Sequence, residues 1–215
     1  MKKIDFNLYL ITDRKLIADR CSLTAAVRKA LKGGVKAVQL REKDMETRGL
    51  LKLAYKMRGI TKEHNAKLFI NDRFDIALAV HADGVHLTQS SVPVEAVRKV
   101  VKKKLLIGVS THSMKEAKAA EKGGADFIAM GPVYRTPSKV KYGAPVGSGA
   151  LEKVCGEINI PVFALGGVKS NRVEKVMETG VHGVAMISEI LRAGNIREKT
   201  EELINLLNNI EGENE

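Results

Sequence analysis

Tryptophan is absent from the 215-residue chain, and aromatic residues make up only 4% of it. That leaves no series of rings on which nucleic-acid bases could stack, and no zinc module accompanies them. Cysteine is nearly missing as well. Cys21 and Cys155 are too few for a disulfide framework and lie in no CxxC, so both read as buried thiols of a reducing, cytoplasmic setting. No run of about 18 apolar residues occurs, so no membrane-spanning helix is expected. The opening MKKIDFNLYLITDR is basic, but its apolar stretch is short and broken by Asp13 and Arg14. It reads as a first strand rather than a secretory signal. No GxGxxG follows that strand, which argues against an open dinucleotide-binding sheet. No Ser-His-Asp or Cys-His arrangement is evident.

Acid is in short supply too: 25 Asp and Glu stand against 36 Lys and Arg, a net charge of +11. Part of the excess lies on helical stretches such as RKVVKKK (98–104), where a solvated face is expected. With so few aromatics, nucleic acid is not the expected partner. Basic residues at strand ends are a different matter, because there they can meet a small anion.

What the chain does have is a recurring phrase. Short apolar runs appear at LYLI (8–11), AVQL (37–40), LFIN (68–71), GVHL (84–87), LLIGV (105–109), FIAM (127–130), VFAL (162–165) and VAMI (184–187). Each is strand-sized and free of charge, as parallel strands buried on both faces require. Helical spacing intervenes: Leu50, Leu53, Ala54 and Met57; Val173, Val176, Met177 and Gly180; Leu203, Leu206, Leu207 and Ile210. KGGVKAVQL, KGGADFIAM and TGVHGVAM return from helix to strand through glycine, the residue suited to a left-handed cap. Eight such units predict an α/β fold, a single-domain (β/α)8 TIM barrel over residues 1–210, with EGENE (211–215) as a fraying acidic tail.

In such a barrel the chemistry gathers at the C-terminal strand ends. Those ends read Thr12-Asp13-Arg14, Gln39 with Arg41-Glu42-Lys43, Asn71-Asp72-Arg73, the neutral Thr88–Ser91, Ser110-Thr111-His112, the loop GPVYRTPSKVKYG, Gly166-Gly167 and Ile187-Ser188. Cations, hydroxyls and bare backbone amides suit phosphates. Gly166-Gly167 reads equally as a phosphate cradle or as a tight turn. The loop after the sixth strand, about 20 residues long, exceeds the usual 2–6 and reads as a binding loop or lid carrying Arg135, Thr136, Ser138, Lys139 and Lys141.

QLREK (39–43), ND (71–72), GVSTHS (108–113), GPVYRTPSK (131–139), ALGGV (164–168) and MIS (186–188) together resemble, in order and spacing, the thiamin phosphate synthases. The resemblance covers about residues 8–192 and extends to the thiazole tautomerases of the same superfamily. It implies a transferase of thiamin biosynthesis that joins hydroxymethylpyrimidine diphosphate to a phosphorylated thiazole and releases pyrophosphate, assisted by Mg²⁺. By the same resemblance Gln39, Leu40, Arg41, Glu42, Lys43, Asn71, Ser110 and Lys139 would bind the pyrimidine diphosphate. Thr136, Pro137, Ser138, Gly167, Ile187 and Ser188 would hold the thiazole phosphate, and Asp72 would bind the metal. Arg41, Lys43, Ser110 and Lys139 would act on the leaving group. Partners are then small phosphorylated molecules, with no nucleic acid and no membrane; a homo-oligomer is compatible with the barrel.

Blander roles attach to several of these residues. Arg41 and Glu42 could pair across neighbouring strands, and Asp72 could cap the helix starting near Arg73. His86 reads as a structural residue in or beside the barrel, and His112 as a cap of the following helix. One departure stands out. The synthase pattern has an acidic pair after GVHLxQ whose second member is a metal ligand, and here the pair is Ser90-Ser91. Ser91 cannot neutralise a cation, so the Mg²⁺ site is expected to be weakened. That departure favours the tautomerase alternative, whereas QLREK and Asn71-Asp72 favour the synthase. A non-catalytic thiamin phosphate binder on the same barrel is a third reading.

Overall fold

The computed structural model describes residues 4–17, 20–136 and 144–212. Eight parallel strands close into a barrel in sequence order: β1 (Leu8–Ile11), β2 (Ala37–Leu40), β3 (Lys67–Asn71), β4 (Gly84–Leu87), β5 (Leu106–Thr111), β6 (Phe127–Met130), β7 (Val162–Leu165) and β8 (Gly183–Met186). Leu8 pairs with Val184 to complete the ring. The apolar runs mark these strands to within a residue or two. The main differences are that β5 runs on through Ser110 to Thr111 and that β8 ends one residue earlier, leaving Ile187 just past it.

Closure divides the strand residues into two cores. Leu8 and Leu10 of β1, Val38 and Leu40 of β2, and their counterparts point outward against the helices. Tyr9, Ile11, Ala37, Phe69, Leu106, Phe127, Ala129, Phe163 and Ala185 point inward. The few aromatics of the chain are concentrated there. Phe6 plugs the base and stacks on Phe163 at 5.2 Å, while Tyr9, Phe69 and Phe127 meet edge to face. Each fully buried ring contributes about 1.5–3 kcal/mol. Glycine makes room for them, since a Cβ on Gly84 would lie 2.3 Å from Phe69 and one on Gly108 equally close to Phe127.

The outer layer comprises α1 (Leu23–Lys32), α2 (Thr47–Glu63), α3 (Phe74–Ala79), α4 (Val94–Val101), α5 (Met114–Lys122), α6 (Gly147–Glu157), α7 (Val173–Met177), α8 (Ser188–Leu191) and α9 (Ile196–Gly212). Helix-to-strand returns do pass through left-handed glycine, at Gly34 and Gly124. Two returns share a further device. Asp83 accepts the Leu68 N–H at 2.8 Å and pairs with Arg58; Asp126 accepts the Ile107 N–H at 2.7 Å and pairs with Arg98. An aspartate just ahead of a strand thus fixes the neighbouring strand and a helix together. The α7 spacing stops at Met177, and Gly180 lies beyond it in the turn. Helix α9 runs through Gly212, so Glu211 and Gly212 are helical rather than tail; residues 213–215 lie outside the described residues.

Candidate active site

The C-terminal ends of β2, β3 and β4 open into a cleft of about 320 Å³. Its walls include Leu40, Glu42 and Lys43 from the β2 end, Asn71, Asp72 and Arg73 from the β3 end, and Thr88 and Ser90 after β4. Gln39 is buried below, donating from Nε2 to Asn71 Oδ1 at 3.2 Å, while its own buried Oε1 has no hydrogen-bond partner among the described residues. A buried acceptor of that kind is costly unless something donates to it.

The charges of this region divide into paired and unpaired. Glu42 is buried, and its carboxylate is taken up internally: Oε1 accepts from Thr12 Oγ1 at 2.7 Å, and Oε2 accepts from the Arg14 backbone N–H and guanidinium. Arg14 and Lys15 also hold Asp44, whose carboxyl these hydrogen bonds keep well below the usual range. Arg73 is paired with Asp75. Arg41 and Lys43, by contrast, enter no ion pair with a described residue. The cross-strand pairing of Arg41 with Glu42 is therefore replaced by Arg14 with Glu42, which leaves Arg41 available to a ligand. The sequence marks Thr12 only as a hydroxyl at the first strand end.

Asp72 adopts φ +65, a left-handed conformation that aspartate tolerates better than most residues. It does not cap α3. The residue at that helix's N-cap is Arg73, and no side-chain cap bond is made. Ser91 likewise differs from expectation. Its Oγ accepts the Thr88 N–H at 2.8 Å and lies 3.1 Å from Thr88 Oγ1, closing the turn, while Ser90 is the one that reaches the cleft. The cap before α5 is Ser113, not His112; His112 instead bonds Glu116 through its N–H and ring Nδ1.

Ser110 brings an arrangement that the sequence did not reveal. His86 points into the barrel, fully buried, with Nε2 3.0 Å from Ser110 Oγ and Nδ1 3.4 Å from Tyr9 OH. This Ser–His pair is no nucleophile and base. Burial and the nearby Arg41 charge push the imidazole pKa down to about 3, and a phenol rather than a carboxylate stands behind it. An imidazolium formed here would lack the partner that stabilises one in a hydrolytic triad.

Across the mouth, residues after β6, β7 and β8 form a second wall. The Val133 and Tyr134 N–H groups donate to Leu165 O and Gly166 O, both at 2.9 Å, so the β6 loop continues the sheet onto the β7 turn. Arg172 stacks over the Tyr134 ring at 4.5 Å and donates to Gly167 O at 3.0 Å. Gly167 has φ +71, and a Cβ there would meet Tyr134 Cβ at 2.7 Å, so the turn needs glycine on both counts. Among the described residues the Gly167 and Ser188 N–H groups donate to no oxygen, and the buried Thr136 Oγ1 has no hydrogen-bond partner. Helix α8 has only four residues, so exposed N–H groups rather than a sizeable helix dipole are what that end offers. The β6 loop spans residues 131–146, shorter than expected; Pro137, Ser138, Lys139 and Lys141 lie outside the described residues.

Residues 8–190 match the family model described as thiamine monophosphate synthase. The chain belongs to this thiamine monophosphate synthase family. A thiamine-phosphate synthase of Clostridium acetobutylicum is 42% identical over 96% of this chain and 97% of its own length. That of Clostridium novyi is 42% identical over 94% and 99%. Among solved structures, a thiamine phosphate pyrophosphorylase from Pyrococcus furiosus superposes with a TM-score of 0.88 at 38% identity, covering 95% of this chain and 96% of that one.

For a thiamine monophosphate synthase family member, fitness to hold Mg²⁺ can be tested on the cleft itself. Glu42 is occupied by Thr12 and Arg14, so Asp72 is the carboxylate left to the opening, beside the Ser90 and Thr88 hydroxyls. No group of three or more His, Cys, Asp or Glu side chains suited to a metal occurs among the described residues. One carboxylate with hydroxyls is a poor cage for a bare ion. It fits an ion that shares its ligands with substrate phosphates, the usual habit of Mg²⁺. No helix among the described residues is long and apolar enough to cross a membrane.

Proposed function

We propose that this chain is a thiamine-phosphate synthase, a transferase that joins hydroxymethylpyrimidine diphosphate to thiazole phosphate and releases pyrophosphate. The observation that carries this reading is the charge sorting around the cleft: Arg41 and Lys43 enter no ion pair with a described residue, while Arg14, Lys15 and Arg73 beside them each have one. The family and its similarly sized relatives support it.

In this reading the pyrimidine lies over Gln39 and Asn71, where Gln39 Oε1 gains a donor from the ring's amino group. Its diphosphate meets Arg41, Lys43, Asn71 and Ser110, and by the family resemblance Lys139 would add a further charge. The bond from the pyrimidine methylene to the diphosphate oxygen breaks, and the oxygen keeps the electron pair. The aminopyrimidine delocalises the positive charge left on carbon, so no protein nucleophile takes part. Fixed cations stabilise the negative charge growing on the leaving group. Asp72 would hold Mg²⁺, which when bound supplies further charge to the diphosphate. The thiazole nitrogen then donates its lone pair to the methylene carbon. Its phosphate is anchored by the Gly167, Ile187 and Ser188 backbone with Thr136, Pro137 and Ser138, which makes the second step effectively intramolecular.

The test is direct. Purified protein given both substrates and Mg²⁺ should form thiamin phosphate and pyrophosphate in equal amounts. Folded protein that makes neither, yet isomerises the carboxythiazole phosphate alone, would move the assignment to the tautomerases. Binding of thiamin phosphate with neither reaction would make it a sensor.

A further inference from the structure

We propose that His86 is a positioning residue that, together with Tyr9, turns Ser110 into a fixed hydrogen-bond donor towards the diphosphate; this rests on the synthase reading above. The three side chains form one line through the barrel. Tyr9 comes from β1, His86 from β4 and Ser110 from β5, so only closure of the sheet brings them together.

Counting donors and acceptors gives the line a direction. Tyr9 is completely buried, and burial raises its pKa well above the ordinary value, so the phenol keeps its proton. Among the described residues its oxygen has one hydrogen-bond partner, His86 Nδ1 at 3.4 Å. With that single partner, the buried O–H is satisfied only if the phenol donates and Nδ1 accepts. A neutral imidazole that accepts at Nδ1 carries its hydrogen on Nε2. Nε2 then donates to Ser110 Oγ, 3.0 Å away. With a lone pair engaged from below, the hydroxyl hydrogen of Ser110 is left to point away from the imidazole, towards the open end of the barrel. No other described residue accepts it.

A hydroxyl held as a donor is useful next to an anion and wasteful elsewhere. A serine free to rotate would also accept from water or from Arg41 and Lys43, in competition with the diphosphate. The device is the reverse of a triad: protons are directed out along Tyr9, His86 and Ser110 instead of being drawn in, and no proton need be transferred. Gly108 belongs to the same arrangement, because a Cβ there would lie 2.7 Å from His86 Nδ1 and displace the ring.

The experiment measures inorganic pyrophosphate binding in Mg²⁺ buffer by calorimetry, beside steady-state turnover, for the wild type, His86→Leu, His86→Gln, Tyr9→Phe, Ser110→Ala and the double variant His86→Leu/Ser110→Ala. Loss of an aligned hydrogen bond to a charged ligand corresponds to about tenfold in affinity. His86→Leu should therefore weaken pyrophosphate by about tenfold, and His86→Gln, which keeps an N–H donor, should recover most of it. In the Ser110→Ala background His86→Leu should cost nothing further. Independent losses in the double variant, or unchanged affinity in His86→Leu, would overturn the proposal. If His86→Leu does not fold, Tyr9→Phe decides in the same way: its loss must vanish when Ser110 is alanine. Wild-type protein that binds pyrophosphate but makes no thiamin phosphate sinks the synthase reading alone, whereas additive variants sink the positioning role alone.

Discussion

Thr12 Oγ1 lies 2.7 Å from Glu42 Oε1 and at the same time accepts the Arg41 backbone N–H at 2.9 Å. One buried hydroxyl just after the first strand thus helps Arg14 hold the Glu42 carboxylate, and fixes the chain on which Arg41 and Lys43 stand. Thr12→Val keeps the shape and removes both bonds. It should lower stability by about 1–3 kcal/mol, the cost of leaving buried polar groups unpaired, and weaken pyrophosphate binding as well. Urea unfolding and calorimetry would show both; a variant with wild-type stability would mean that Glu42 finds another donor.

Asp72→Asn separates charge from conformation, since asparagine also tolerates φ near +65. The variant should fold normally. Mg²⁺ affinity measured with saturating pyrophosphate should fall by about tenfold or more, given that even outer-shell changes at metal sites cost about 10–100-fold. Equal Mg²⁺ affinity in both proteins would remove Asp72 from the metal site.

Ser91→Asp puts an acid where the resemblance to the synthases leads one to expect it. An aspartate oxygen can still accept the Thr88 N–H, so the turn that Ser91 closes need not be lost. If position 91 faces the ion, a carboxylate there should let the enzyme saturate at lower Mg²⁺. If the Mg²⁺ dependence of turnover does not move, position 91 is remote from the ion.

His86 predicts a pH dependence of stability. In the folded protein its pKa is lowered from 6.5 to about 3, chiefly by burial. Between those values the unfolded chain binds a proton that the folded chain refuses, so stability falls as pH drops through that window and is unaffected by this group above it. His86→Gln should flatten the slope of stability against pH by up to one proton's worth, read from chemical denaturation between about pH 4 and 7. An unaltered slope would show that the imidazole is not held neutral.

The sequence by itself determined the barrel. Eight uncharged runs of four or five residues, separated by helical spacing, fit a parallel sheet covered by helices, and the glycines that return several helices to the next strand are local requirements. It also brought out which residues crowd the strand ends, because register along a strand is a matter of counting. What it could not decide is which of those residues are already satisfied by one another. Glu42 is held by Thr12 and Arg14, about thirty residues away, and His86 meets Tyr9 across 77 positions; neither spacing has a sequence signature. Whether a polar side chain is a ligand or a brace depends on its hydrogen-bond partners, and for Glu42 and His86 those are set only when strands far apart in sequence come together in the barrel. Ser91 is a local case: marked in the sequence as a missing metal ligand, it closes its own turn on Thr88, a use of the hydroxyl that residue type alone does not reveal.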